Sequence, residues 1–496
     1  MANDETPTDG DVSRRDYLKF GGAALSAVSF SSVASAQSSN GRGNGNGNGN
    51  APDDGGRLLI RGGTVVTVDP DYGILYDTDI YVEDGEIRLI GDDLDANGAD
   101  VVDAEGSIVV PGFVNTHLHT WESGVRGVAG DWTFLEYLDK MLGEISSNYR
   151  PVDAYLGNLF GAVQQLNAGT TTVLDWFHIA NSSQHTDRAI DGLEDAGIRA
   201  LFTHGPPGDD SAKWWENSSV THPDDIRRLH EERFPSDDGL LTLAMGIRGP
   251  DYSTDEVVRQ DIELARELGI PASMHIGSLG SGGVSKLDEL GLLGDDLNYV
   301  HANRLTEEEF ALIGESGGSI STTPEVELQM GMGMPVVGEA IDNGAIPSVG
   351  VDIVSNVSDD LFTQLRMAVQ VQRGLNNQPA VERGEQIQDV TPTAHRALEI
   401  ATIDGARALG LEDEIGSITP GKRADLTIID GDDLNTAPVH KPVETVVFQA
   451  GIANVDTVIV DGTVVKRNGL VHNPTAQNHL DRLEQSGRRV LRQSDI

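Results

Sequence analysis

The sequence predicts an α/β chain whose main body is a (β/α)8 TIM barrel, with a small β-sandwich domain built from both chain ends. Three observations carry that prediction. Strand-like apolar runs alternate with amphipathic segments eight times between residues 113 and 352. Short alternating strands broken by Gly and Asp fill 57–110, and the same texture returns after 424. One aspartate and several histidines stand at the ends of the central runs, where a barrel builds its active site.

Residues 1–36 read as an address. Ser13-Arg14-Arg15-Asp16-Tyr17-Leu18-Lys19 precedes a weakly apolar run from Phe20 to Phe30, and Ala34-Ser35-Ala36 supplies small residues for cleavage before Gln37. This resembles a twin-arginine export signal. It predicts the twin-arginine export machinery as a partner, removal after Ala36, and a mature protein outside the cell or at its surface. The apolar run is too short and too rich in Gly and Ser to span a membrane. Residues 37–56, mostly Gly, Asn and Ser, form a flexible linker.

The N-terminal part of the sandwich, 57–110, holds strands at Leu58–Arg61, Thr64–Val68, Ile80–Val82, Ile87–Ile90 and Ile108–Val110. The barrel, 111–414, is expected to have strands near 113–119, 171–176, 199–204, 241–247, 271–276, 297–301, 319–323 and 347–352. Helices fill the gaps at Val152–Asn167, Thr186–Ala196, Thr254–Leu268, Thr306–Glu315 and Asp359–Leu375, each starting near an Asp, Thr or Pro suited to a helix start. One helix, Thr391–Leu409, leads back to the C-terminal part of the sandwich at 415–472, with strands at Ala424–Ile429, Val443–Phe448 and Val455–Gly462. Residues 473–496 read as a C-terminal tail.

Among 496 residues, 35 are basic and 79 acidic, a net charge of −44. Nucleic acid would be repelled by such a surface. The acidic residues are spread along the chain, as in Asp92-Asp93, Asp209-Asp210, Asp295-Asp296 and Asp432-Asp433. That distribution fits a halophile's shell, because molar salt shortens the Debye length to about 3 Å and relieves self-repulsion. There are no cysteines, which excludes disulfides, thiolate ligands and a cysteine nucleophile. No phosphate-binding loop is present. Any metal must be held by His, Asp and Glu, a set that suits zinc, manganese or ferrous iron.

The densest signal is Pro111-Gly112-Phe113-Val114-Asn115-Thr116-His117-Leu118-His119. In a strand, alternate side chains share a face, so both imidazoles can reach one ion. Three later runs end in His275, His301 and Asp352, each able to bind metal or move protons. His178 and His204 also end barrel strands, and Trp121 and Glu122 directly follow the histidine pair, so all four are candidate substrate-pocket residues. His185, His222, His230, His440, His472 and His479 lie in polar or terminal contexts and are expected to be solvated. Met330, Met332 and Met334 could form a pliable apolar wall or simply pack a loop.

Taken in order, the pieces resemble the amidohydrolase superfamily, in the branch of cytosine, guanine and adenosylhomocysteine deaminases and s-triazine hydrolases. They are the Pro-Gly-Phe-Val-Asn-Thr-His117-Leu-His119 run, Ala168-Gly169-Thr170-Thr171-Thr172, His275, His301, Pro324 to Gly331, Gly350-Val351-Asp352, and Gly416 to Leu426. The resemblance implies that His117, His119, His275 and Asp352 bind one divalent ion, zinc foremost with iron or manganese as alternatives. His301 would stand beside the metal-bound water and the substrate. Two-metal members add a bridging Lys or Glu after strand four; here that stretch is Ala244-Met245-Gly246-Ile247-Arg248-Gly249-Pro250, which favours one metal. A divalent ion lowers the pKa of bound water from about 15.7 toward ~7. In the implied chemistry Asp352 takes the water's proton and His301 stabilises the oxygen on the attacked carbon.

Two departures bear on the substrate. The family's glutamate three residues after the strand-five histidine is replaced by Ser278, which leaves Glu122, Glu325 and Glu327 as substitute acids. The Pro-x-Ser-Asn pattern of nucleoside deaminases becomes Pro324-Glu325-Val326-Glu327, with Glu327 at the asparagine's place. The chain therefore reads as a metal-dependent amidohydrolase acting on a non-peptide C–N bond of a small cyclic or heterocyclic substrate, by deamination or cyclic amide hydrolysis. The alternative is a secreted metal-containing ligand-binding protein of the same fold that has lost turnover. The small-molecule substrate is the expected partner, with a homo-oligomer left open.

Overall fold

Five strands open the chain in the computed structural model, which describes residues 56–95, 98–494 and 496. The expected export signal and all of the linker but Gly56 lie outside the described residues. The five are β1 (Arg57–Val66), β2 (Ile74–Glu83), β3 (Glu86–Gly91), β4 (Asp100–Asp103) and β5 (Ile108–Pro111). Val65, Ile80, Val82 and Val109 are buried among them in a small core shared with Leu426, Ile428 and Ile459 near the other chain end.

Eight parallel strands follow: β6 (Phe113–Leu118), β7 (Thr170–Phe177), β8 (Arg199–His204), β9 (Leu241–Ile247), β10 (Ala272–Ile276), β11 (Leu297–His301), β12 (Ser319–Thr322) and β13 (Ile346–Val349). Each pairs with the next. Most of their residues are buried, as expected of parallel strands with both faces covered. A bridge between Leu118 and Asp352 brings the last strand to the first. There the His119 N–H donates to the Asp352 carbonyl at 2.8 Å and the Asp352 N–H to the His117 carbonyl at 2.9 Å. Gly350 permits this approach, since a Cβ on it would lie 2.6 Å from the His117 carbonyl oxygen. The eight-strand barrel expected from the sequence is thus present, and its closing seam runs through the candidate ligands.

The C-terminal strands β14 (Leu426–Ile429), β15 (Val455–Val460), β16 (Thr463–Arg467) and β17 (Leu470–Val471) complete the second unit. Antiparallel pairing of β5 with β14 joins both chain ends in one nine-stranded mixed sheet.

Three expectations are corrected. Val443–Phe448, read as a strand, is the helix Pro442–Phe448. Its proline sits in the first turn, where a missing N–H costs nothing, and Val443, Val446 and Val447 share one buried face at helical spacing. The single helix expected over Thr391–Leu409 is two, Ala394–Ile400 and Ile403–Ala408. At the break, Thr402 Oγ1 donates back to the Leu398 carbonyl at 2.6 Å, and the Ala401 carbonyl accepts from Val114 at the start of β6. The tail at 473–496 carries the helix Pro474–Gln493. It docks on the helix Pro151–Asn167, where Ser486 Oγ and Arg489 Nη2 both donate to buried Asp153, at 2.6 and 2.5 Å. Among the described residues, no helix is long and apolar enough to cross a membrane.

Candidate metal centre and active site

Four strand ends meet at the C-terminal mouth of the barrel. His117 Nε2 lies 3.2 Å from His275 Nε2 and 3.2 Å from Asp352 Oδ1, and His119 Nε2 lies 3.5 Å from the same oxygen. The ligand atoms of His117, His119 and Asp352 all lie within 4.8 Å of one another, as do those of His117, His275 and His301. Such crowding of buried nitrogen lone pairs beside a carboxylate fits a divalent cation.

The protonation states agree. Burial pushes His119 down to about 3, with His117 adding repulsion. Burial likewise lowers His117 and takes His275 well below its usual value. All three imidazoles are therefore neutral near pH 7, as metal binding requires. His119 Nδ1 lies 2.6 Å from the Trp176 carbonyl, which can only accept, so Nε2 must be the unprotonated atom facing Asp352. Burial would raise Asp352, but His117 beside it, with His301 and His119, holds it low and ionised.

His301 closes the ring. Its Nε2 is 3.8 Å from Asp352 Oδ2, and its Nδ1 is 3.1 Å from Thr323 Oγ1 and 3.5 Å from Glu327 Oε1. Burial lowers its affinity for protons, yet Glu327 and Asp352 outweigh burial and raise it. His301 and Asp352 both hold a left-handed backbone, each with φ of 71°. That conformation costs a non-glycine residue about 1–3 kcal/mol and concentrates at functional sites.

The other sequence candidates divide. His178 lines the cavity, its ring centroid 4.2 Å from that of His119. Trp121 lies behind it, its indole N–H donating to His178 Nδ1 at 3.1 Å. Glu122 is fully buried, accepts from Tyr137 at 2.7 Å and Ser355 at 2.5 Å, and is pushed by burial up to about 8. It does not line the cavity. Glu325 turns away to Ser358 and Gln364, both at 2.9 Å, whereas Glu327 backs His301. His204 is not among the cavity residues; its Nδ1 lies 2.8 Å from His222 Nε2. His222 and His185, expected to be solvated, are buried: the first by that pairing, the second between Ser182 and the Tyr149 carbonyl.

Sequence reasoning missed two features. Asp175, raised by burial to about 7, accepts from Thr120 and Asn158 and so anchors the residue after His119. Its place at a strand end, in Asp175-Trp176-Phe177-His178, was the available signal. The helix Phe134–Tyr137 and the wide helical turn Leu138–Ile145 supply one wall of the cavity. Thr133 and Glu136, spaced as a capping box, announce that start.

The sequence pattern of the Amidohydrolase family fits residues 108–465. The chain belongs to the amidohydrolase family. Among its relatives, a 5'-deoxyadenosine deaminase of Methanobrevibacter smithii is 30% identical over 407 residues, covering 78% of this chain and 88% of that one. A 5-methylthioadenosine/S-adenosylhomocysteine deaminase of Symbiobacterium thermophilum is 28% identical over 454 residues, covering 88% and 100%. The crystal structure of a zinc-bound adenosine deaminase from Xanthomonas campestris superposes with a TM-score of 0.75 at 26% identity, over 87% of this chain and 98% of that one. A zinc-complexed atrazine chlorohydrolase from Arthrobacter aurescens shares the fold, with a TM-score of 0.76 at 22% identity over 87% and 100%. As an amidohydrolase, this chain is a metal-dependent hydrolase of a non-peptide C–N bond in a small cyclic or heterocyclic molecule.

Proposed function

We propose that this amidohydrolase is a zinc-dependent deaminase of an amino-substituted nitrogen heterocycle, with His117, His119, His275 and Asp352 as ligands of one ion. The observation that carries the proposal is the convergence of those side chains on the barrel's closing seam, with His301 and Glu327 beside them. Deaminase relatives reaching 30% identity support ammonia release over ring opening. Zinc in the Xanthomonas deaminase supports that metal.

A divalent ion held there supplies Lewis acidity, bringing the pKa of a water from about 15.7 toward ~7. Asp352 Oδ1 faces His117 and His119, which leaves Oδ2 to take the proton of the attacking water. His301 directs its Nε2 at the oxygen added to the ring carbon, held from behind by Thr323 and Glu327. Of the three glutamates weighed as substitutes for the family's acid, Glu327 is the one that touches this machinery. It keeps a proton on His301 that can pass to the leaving nitrogen, so that the C–N bond breaks and ammonia departs.

Metal analysis combined with ammonia release, on protein kept in high salt, tests the reading. About one equivalent of zinc, lost in His117→Ala, with ammonia from aminopurines or aminopyrimidines, is the expected result. Metal without ammonia from any amino-heterocycle redirects the reaction to cyclic amide hydrolysis. Absence of metal overturns the site.

Export and salt dependence belong to the same proposal and rest on the sequence. Replacing Arg14 and Arg15 by lysine should hold an unprocessed precursor inside the cell. Dialysis out of molar salt should unfold the protein, a loss read by circular dichroism.

A further inference from the structure

The cavity over the metal cluster has an unusual wall for so acidic a protein. Phe134, Leu138 and Leu142 line one side, Met330 and Met332 another, and Trp215 a third. The first two sides are tied together, since the Phe134 N–H donates to the Met330 carbonyl at 3.3 Å and Gln329 Nε2 to the Gly130 carbonyl at 3.1 Å. The wall is thus a joint product of the loops after β6 and β12.

Charges carried by those loops point elsewhere. Glu136 is engaged by Thr133 and Lys140, Glu325 by Ser358 and Gln364, and Glu327 by Thr323 and His301. Outside the histidines and Asp352, the ionisable groups lining the cavity are the phenols of Tyr137 and Tyr252. The Tyr137 hydroxyl is already spent on Glu122. No lining carboxylate is left for a vicinal diol, the usual partner of a ribose, and no lining Lys or Arg for a phosphate. A hydroxylated or charged substituent would lose its water against this wall with the Tyr252 phenol as the one hydroxyl left to meet it, which is costly.

We infer that the substrate carries, on the side of the ring away from the reacting carbon, a neutral apolar substituent such as an alkyl, thioalkyl or aryl group, in place of a sugar or phosphate. The two methionine thioethers and the phenylalanine ring give that substituent a polarisable, adaptable bed. The inference deepens the deaminase reading of the same site and rests on it for the identity of the reacting group.

Matched pairs on one ring test it. Ammonia release by the zinc-loaded full chain in high salt is compared for 9-benzyladenine against adenosine, and for butylmelamine against a melamine carrying a hydroxylated chain of equal length. The apolar member of each active pair should show the higher kcat/KM by about 10- to 200-fold, the range one hydrophobic contact produces. Phe134→Ser, at a partly exposed position, should narrow that ratio while the metal stays bound. Equal or better turnover of the hydroxylated members overturns the inference and leaves the deaminase standing. If no pair releases ammonia, the deaminase reading fails instead. The wall is then judged by calorimetric binding of the same pairs: tighter binding of the apolar members upholds it, and equal or weaker binding overturns it.

Discussion

Two pairs of histidines are packed into the same barrel, and they are built to opposite ends. In the first, His117 and His275 face each other at 3.2 Å with Asp352 at 3.2 Å, and the cavity beside them has no Lys or Arg in its lining. In the second, His204 and His222 lie 2.8 Å apart, Asp225 is 3.9 Å off, and the cations Arg228 and Arg248 both push the pair's proton affinity down. Arg248 is itself held by Asp261 at 3.0 Å, which also accepts from the His222 backbone. Burial of imidazoles is common to both. What separates a metal centre from a structural hydrogen bond is the close carboxylate, the absence of a neighbouring arginine, and an open cavity.

The largest effect should come from removing that carboxylate. Asp352→Asn is expected to lower kcat by about 10³-fold or more, because several kcal/mol of charge stabilisation and the proton acceptor go together. His204→Gln, an equal insult to the other pair, should leave kcat within about threefold, since its effect is a change of fold stability rather than of the transition state. If the two variants lose activity alike, the distinction between the pairs fails. Glu327→Gln comes next. It keeps the shape but removes the charge behind His301, and a loss of about 10- to 100-fold in kcat with zinc content unchanged is expected. Gly350→Ala then tests the seam itself. Its Cβ would meet the His117 carbonyl at 2.6 Å, and the resulting strain should cost about 1–3 kcal/mol in denaturant unfolding.

How far the sequence discloses these features follows from the range of the forces involved. All eight barrel strands and the set His117, His119, His275, His301 and Asp352 could be read directly, because apolar periodicity and strand-end placement are local signals. The helix at Pro442–Phe448 is hidden in the sequence because a run of valines suits a buried strand and a buried helix equally; Pro442 in the first turn favours the helix. The helix Pro474–Gln493 looks like a tail in the sequence because its docking depends on Asp153, more than three hundred residues away. Burial of His185 and His222 was invisible for the same reason: a polar sequence neighbourhood says nothing about which distant loop covers it. The roles of Glu122 and Glu327 differ only in whether they face Tyr137 or His301, which no spacing encodes.

The smallest predicted effect tests the structural pair by pH. Burial lowers His204 to about 4, with Arg228 adding to that and Asp225 opposing it. An unfolded histidine titrates near 6.5. Above that pH neither state takes up a proton and His204 costs nothing. As pH falls from about 6.5 toward 4, the unfolded chain binds a proton that the folded one refuses, so stability must fall. The loss attributable to this one residue is about 1.4 kcal/mol at pH 5.5 and reaches roughly 3 kcal/mol by pH 4. Other buried histidines shift as well, most of them downward and His301 upward, so the informative quantity is a difference. Urea unfolding of wild type and His204→Gln at pH 7.5 and 5.5, in constant molar salt, should show a shallower pH dependence in the variant by about that 1.4 kcal/mol. Identical slopes would mean that the His204–His222 pair accepts a proton in the folded state, and that the arginines beside it do not separate it from the metal centre.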